Sequence, residues 1–426
     1  MLLSFSFSGF KSFKDKACLD LRPSMVRDLK FSLLKEEYKS KEIKALPCAV
    51  IYGPNSAGKT NVLKALNFFK CLVTSRSLDN LKDAFLSTNI HLEKPIISFS
   101  IEFINDSVLF EYSTSVSIRS FFNYTQKDGN RIISESLHVN NKLIFERSDK
   151  NVSVYENDLP EYINFSSKDF NVNSIANQIL QDNILFINSG FKEFVSISLY
   201  NRFIEWFETK FEIFDNPSIV SYQVNEEANE EKLKSLNIFS TNLLQAVTDT
   251  KHSVRYNKMN GKDGYVPYSE IREKNRGYEI PSAFIESRGS NRLLNLMPII
   301  AHTIEIGGVL AIDEVDTSIH PAIFSNVLAI FHNPEINKNN AQIIITTHNP
   351  LYLQKTILRR DEIYFVENES GEGSELYSLS DFKTSGPDSV RNTTDYISNY
   401  FMNKFGGIKY VDLSDAVKNY IKHGNK

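Results

Sequence analysis

The sequence predicts an α/β fold: a core sheet carrying a glycine-rich loop, an antiparallel β subdomain, and an inserted helical or lid region. Three observations predict it. A short apolar run, Pro47-Cys48-Ala49-Val50-Ile51-Tyr52, leads into Gly53-Pro54-Asn55-Ser56-Ala57-Gly58-Lys59-Thr60 and then into a stretch of helical period. From Ile96 to about Tyr155 the apolar period becomes two, the mark of strands with one buried face. A second strand–helix–strand pattern follows at Val309-Leu310-Ala311-Ile312, Pro321 to His332, and Gln342-Ile343-Ile344-Ile345-Thr346.

Taken in order, Leu2 to Leu21 reads as two short strands around Gly9-Phe10-Lys11-Ser12-Phe13, with Leu3, Phe5 and Phe7 alternating. The charged stretch Lys35 to Lys44 reads as helix or loop. Asn61 to Val73 places Val62, Leu63, Leu66, Phe69 and Leu72 on one helical face. The antiparallel region has turn signals at Asn105-Asp106, Asp128-Gly129 and Asn140-Asn141. Ser174 to Thr250 has Gly190 as its one glycine and steps through Phe203, Ile204, Phe207, Phe211 and Phe214, which reads as helices. Lys251 to Glu279 reads as loops or a hairpin, and Leu293 to Ile306 as a helix. The expected division is 1–170 (hairpin, glycine-rich loop, antiparallel sheet), 171–280 (helical insertion or lid and a polar loop) and 281–426 (second α/β half).

Composition narrows the classes. With 41% hydrophobic residues, 31 Phe and 19 Tyr, the chain can pack a large core and is not a disordered one. A net charge of −4 excludes a polycation that coats nucleic acid, so any DNA contact would need a local patch. Residues 251–292 hold nine Lys and Arg against five acidic residues, with Tyr256, Tyr265 and Tyr268 among them; a phosphate-tracking patch and a solvated loop both fit. The three cysteines, Cys18, Cys48 and Cys71, are odd in number and too far apart for a metal knuckle, so neither a zinc site nor a disulfide framework is expected. The N-terminus lacks a basic leader pattern and no run reaches about 18 apolar residues, so a cytoplasmic location without membrane spans is expected.

The chemistry-bearing residues cluster in four places. In the glycine-rich loop, the backbone N–H groups of Asn55, Ser56, Ala57 and Gly58 can turn toward a phosphate, and the following helix from Lys59, Thr60 and Asn61 points its positive end the same way. Lys59 would neutralise β- and γ-phosphate oxygens of a nucleotide, and the Thr60 hydroxyl would ligate Mg²⁺. The strand Val309 to Ile312 ends in Asp313-Glu314, whose side chains project differently, so Asp313 can hold the cation and Glu314 can act as general base. His348 follows the next strand, at the sheet edge where ligands bind, and could touch the γ-phosphate or the water. Glu286-Ser287-Arg288-Gly289 stands just before an apolar helix, a pattern that ordinary helix capping also produces.

The ordered set of glycine-rich loop, Ser287-x-Gly289, Asp313-Glu314, Asp316 and His348 resembles the ABC-type ATPases of the SMC and RecF group. More closely, Asp313 to Pro321, Thr347-His348-Asn349-Pro350, Arg359 to Phe365 and Tyr400 to Gly407 resemble the bacterial abortive-infection ATPases of the RloA-like and AbiLi-like kind. The resemblance implies an ABC-type ATPase head that dimerises around two ATPs. Ser287 and Gly289 would meet the γ-phosphate held by the other copy's Lys59, and Asp316 would cross the interface. It implies a homodimer or higher homo-oligomer, a regulatory role in antiphage defence, and a neighbour-encoded nuclease or toxin as partner. The signature departs from the Leu-Ser-Gly-Gly of transporters, no glutamine after the Ile96 strand marks a Q-loop, and no long coiled coil separates the halves.

Three other functions would each need a feature of their own. A RecF-like DNA-binding ATPase of repair or maintenance would use the basic stretch 251–292. A nuclease of the OLD type would need an Asp-x-Asp after His348, and none is there. A transporter subunit would need a membrane partner, of which the sequence gives no sign.

Overall fold

The computed structural model describes the chain except residues 27, 76, 82–95, 119–129, 156–171, 216–229, 259–264, 274–275, 369–372, 383–394, 409–411 and 425–426. The opening hairpin forms as expected from β1 (Leu2–Ser8) and β2 (Ala17–Asp20), with Phe5, Phe7, Phe10 and Phe13 buried. The stretch read as helix or loop is instead a second hairpin, β3 (Leu34–Tyr38) and β4 (Lys41–Ala45). Its turn places Lys39 and Ser40 at positive φ, and burial of Leu34, Tyr38 and Ala45 against Met1, Leu3, Ile104 and Leu109 outweighs the charge of its outer face.

β5 (Cys48–Tyr52) enters the glycine-rich loop, and the helix Lys59–Thr74 leaves it. Strands β6 (Ile96–Asn105), β7 (Val108–Ser117), β8 (Arg131–Val139), β9 (Lys142–Ser148) and β10 (Asn151–Val154) follow as antiparallel neighbours. With the opening hairpin they make one sheet of order β10-β9-β8-β7-β6-β1-β2. The turns at Asp106-Ser107 and Asn140-Asn141 take the positive φ that short hairpins need. The turn expected at Asp128-Gly129 and the expected boundary at 170/171 lie outside the described residues.

Phe203, Ile204 and Phe207 belong to the helix Ile197–Thr209, but β11 (Phe211–Phe214) corrects the helical reading of the two last phenylalanines. A four-residue apolar run fits either state, and here parallel pairing with Val309 to Ile312 decides it. After the helix Glu230–Val247, the stretch expected as loops or a hairpin is a three-stranded sheet of β12 (Ser253–Lys258), β13 (Tyr265–Glu273) and β14 (Arg276–Pro281). The helix Arg288–Ile306 leads to β15 (Val309–Ile312), the helix Pro321–His332, β16 (Gln342–Thr346), β17 (Ile363–Glu367) and β18 (Glu375–Ser378). The core sheet runs β11-β15-β16-β5-β17-β18, parallel throughout except for β18. Among the described residues, no helix is long and apolar enough to cross a membrane.

Strict alternation explains why the central strands are apolar without a break: both faces are covered. Ala49, Ile51, Val309, Ala311 and Ile344 pack toward the antiparallel sheet and the helices Lys59–Thr74 and Ile197–Thr209. Cys48, Val50, Tyr52, Leu310, Ile312, Ile343 and Ile345 pack toward the helices Arg288–Ile306 and Pro321–His332. Trp206 seals the first layer by stacking on Phe103, with ring centroids 4.2 Å apart.

The two large sheets are tied by a buried amide. Gln342 of β16 accepts from Leu2 N at 2.5 Å and donates to Leu2 O at 3.0 Å and Leu46 O at 2.9 Å. Gln342→Leu keeps the volume and leaves buried backbone groups unpaired, so it should lower stability by about 2–4 kcal/mol, read as a lower urea midpoint at unchanged slope.

Candidate functional site

The site grows from the shared direction of β5, β15 and β16, whose C-terminal ends lie side by side. β5 delivers the loop Gly53 to Gly58, β15 delivers Asp313 and Glu314, and β16 delivers Thr346, Thr347 and His348. Binding at the carboxyl ends of parallel strands is the usual outcome of this topology.

Asp313 is almost fully buried, and its carboxylate is shared. Thr60 Oγ1, in the first turn of the loop helix, donates to Asp313 Oδ2 at 2.8 Å. Thr346 Oγ1, at the end of β16, donates to Asp313 Oδ1 and accepts the Glu314 N–H at 2.9 Å. Glu314 itself has a φ of 42°, a left-handed conformation that costs a side-chain-bearing residue on the order of 1–3 kcal/mol. The turn separates the two carboxylates: Asp313 points inward, while Glu314 is 43% exposed and stands 3.7 Å from His348 Nε2.

Lys59 lies back across the loop, donating from Nζ to Gly53 O at 2.8 Å and Pro54 O at 3.2 Å. Burial pulls its pKa down to about 8, against the opposing pull of Glu314 and Asp313. Burial also lowers the pKa of His348, and the nearby Lys59 charge adds to this, so the ring favours its neutral form. Gly58 cannot be replaced cheaply: its φ is 120°, and an added Cβ would lie 2.7 Å from Ser374 Oγ and 2.9 Å from Ser12 Oγ. Asn55 and Ser56 are exposed on the loop, Ala57 is buried, and Asn61 donates to Ser12 Oγ at 2.8 Å. No side chain caps the loop helix, which leaves its positive end to the loop.

The remaining candidates are Ser287, Gly289 and Asp316, of which Asp316 adjoins the cluster through Thr347. Ser287 caps the helix Arg288–Ile306 by accepting from Ser290 N at 3.1 Å. Gly289 backs onto the loop after β15, where an added Cβ would lie 2.6 Å from Ser318 O. Asp316 accepts from Thr347 Oγ1 at 2.9 Å and from Tyr352 OH at 3.2 Å.

Sequence reading missed Thr346, Ser12, Ser374 and Tyr352, which hold the candidates in place. Thr346 and Thr347 stand directly before His348, so a polar pair following the apolar run Ile343-Ile344-Ile345 was an available signal. Ser374, which donates to Ala57 O, is far away in sequence and gave none.

A strand, a phosphate-type loop and helix, and paired carboxylates at the end of the next strand but one define the class: a P-loop nucleotide-hydrolysing domain on an α/β sheet. Residues 48–353 match the family described as "AAA domain, putative AbiEii toxin, Type IV TA system". The match begins at the first residue of β5 and includes the loop, Ser287, Gly289, Asp313, Glu314, Asp316 and His348. The chain belongs to this family.

Lys59 gives a pH test of the buried site. Its folded pKa, about 8, lies below its ordinary 10.5, so the burial cost is present below pH 8 and is relieved as pH rises to 10.5. Relative to Lys59→Met, the wild-type chain should gain stability across that window by about 1.4 kcal/mol per pH unit, measured by urea unfolding.

Proposed function

We propose that the chain is an ATP-hydrolysing regulatory ATPase of the ABC type, whose site is completed by a second copy and which switches an effector in abortive-infection defence. The observation that carries the ATPase part is the Asp313 carboxylate held between Thr60 and Thr346, with Lys59 and the Glu314–His348 pair beside it. The donor set suits the ligands: a hydroxyl and a carboxylate are hard oxygen donors fit for Mg²⁺, and the ammonium and uncapped helix end suit a triphosphate.

In this reading Thr60 and Asp313 hold Mg²⁺, and Lys59 with the backbone of Asn55 to Asn61 holds the phosphates. The cation, when bound, offsets charge on the phosphate oxygens. Glu314 accepts the proton of the attacking water, and its exposed, turned-out position leaves room for that water. His348, favouring its neutral form, can donate or accept a hydrogen bond at the water or the γ-phosphate.

The second copy would bring Ser287, Gly289 and Asp316 to the opposite nucleotide. Phe284, 82% exposed just ahead of the Ser287 segment, supports an interface there. The defence role and the effector partner rest on the family and on the RloA-like and AbiLi-like resemblance. The RecF-like DNA-binding alternative has less support. Tyr256 is buried with its hydroxyl on Leu294 O at 2.9 Å, and Arg255 and Arg272 pair with Glu270 and Glu279.

Lys59→Ala should abolish ATP binding, and Glu314→Gln should keep binding, lose turnover at least about 100-fold, and accumulate the closed dimer. Normal turnover by Glu314→Gln would remove it as the base. Ser287→Arg should bind ATP without hydrolysing it, and mixing with the Lys59→Ala chain should restore activity if the site is shared. The deciding measurement is the solution mass of Glu314→Gln, expressed with its genomic neighbours and purified with and without Mg²⁺ and ATP. A neighbour protein retained only with ATP supports the switch. A nucleotide-dependent bare homodimer keeps the shared site and removes the effector, and an unchanged monomer overturns the shared site.

A further inference from the structure

At the opposite end of the core sheet, three segments far apart in sequence bring together Cys48, His332 and Glu362, each less than a tenth exposed. Cys48 is the first residue of β5, His332 the last of the helix Pro321–His332, and Glu362 the residue before β17. One ligand atom from each lies within 4.8 Å of the other two. His332 Nε2 is 2.9 and 3.0 Å from the two Glu362 oxygens.

We propose that this cluster is a structural site for a divalent transition metal of the zinc class. Thiolate, imidazole and carboxylate are zinc's usual protein ligands, and their joint negative charge matches a divalent ion inside a low-dielectric core. On tetrahedral zinc, ligand atoms sit about 3.3–3.8 Å apart, so the cluster must move by no more than about 1 Å. The two Glu362 oxygens belong to one carboxylate and span too small an angle for two tetrahedral positions, so the three side chains would supply three ligands and a water the fourth. Binding breaks the Cys48 S–H bond and displaces the proton shared by His332 and Glu362; both protons leave to solvent as the metal bonds form.

The surroundings orient one of the three ligands, Glu362. Arg359 N donates to Glu362 Oε2 at 2.7 Å, and the Arg359 guanidinium is locked on Asp361 at 2.9 and 2.8 Å. That ion pair balances itself, so Glu362 remains available to the metal. Spacing along the chain hid the site: Cys48 has no nearby cysteine or histidine partner, and the fold alone supplies its companions. Its effect would be to pin the start of the strand that carries the glycine-rich loop.

Because all three ligands are buried, loading should accompany folding. The test uses the untagged full chain, purified without chelators for metal analysis, and refolded from urea with cobalt chloride for spectroscopy. Equimolar zinc in the purified chain and a thiolate-to-cobalt charge-transfer band are expected, both kept by Cys18→Ser/Cys71→Ser and both lost in Cys48→Ala. Circular dichroism establishes that each variant is folded. A folded wild-type chain with no metal and no cobalt band would overturn the site, leaving His332 and Glu362 as a hydrogen-bonded ion pair. A band that survives Cys48→Ala would overturn it equally.

Discussion

The arrangement depends most on one carboxylate. Asp313 receives hydroxyls from two other segments, Thr60 at the start of the loop helix and Thr346 at the end of β16. A buried carboxylate without such donors would carry a large desolvation cost, so its satisfaction and the alignment of three strand ends are one requirement. Thr346 also fixes the Glu314 N–H, and through it the left-handed turn that sends Glu314 outward. The strain of that turn is thus held by the same hydrogen bonds that set the distance between loop and carboxylates.

Rigidity behind the site comes from layering. The central strands divide their side chains between two apolar layers, so a one-residue slip would exchange the layers and expose neither. Something polar must therefore fix the register, and Gln342 does so by bonding to both Leu2 and Leu46. At the far end, His332 and Glu362 join the last turn of a helix to the start of β17.

The reading of the fold from sequence succeeded where pattern and length were both decisive. The strands at Cys48 to Tyr52, Val309 to Ile312 and Gln342 to Thr346 are apolar, short and flanked by turns, and each forms as expected. It failed at Lys35 to Lys44, where charge concealed the core-packing residues of two strands, Leu34 and Tyr38 on one and Ile43 and Ala45 on the next. It failed again at Phe211 to Phe214, where aromatic spacing continued a helix while the open edge of β15 claimed the residues. Local periodicity cannot register a partner strand nearly a hundred residues away.

The sequence by itself determined the glycine-rich loop, the paired carboxylates, the histidine and their order, because these are contiguous motifs whose chemistry depends on residue type and local backbone. It also determined that two α/β halves must meet, since each supplies strands that are apolar on both faces. Only the tertiary structure decided that Thr60 and Thr346 share Asp313, that Ser12 and Ser374 wall the loop, and that Cys48, His332 and Glu362 converge. Those contacts join residues tens to hundreds of positions apart, and side chains at that separation are brought within bonding distance by packing alone.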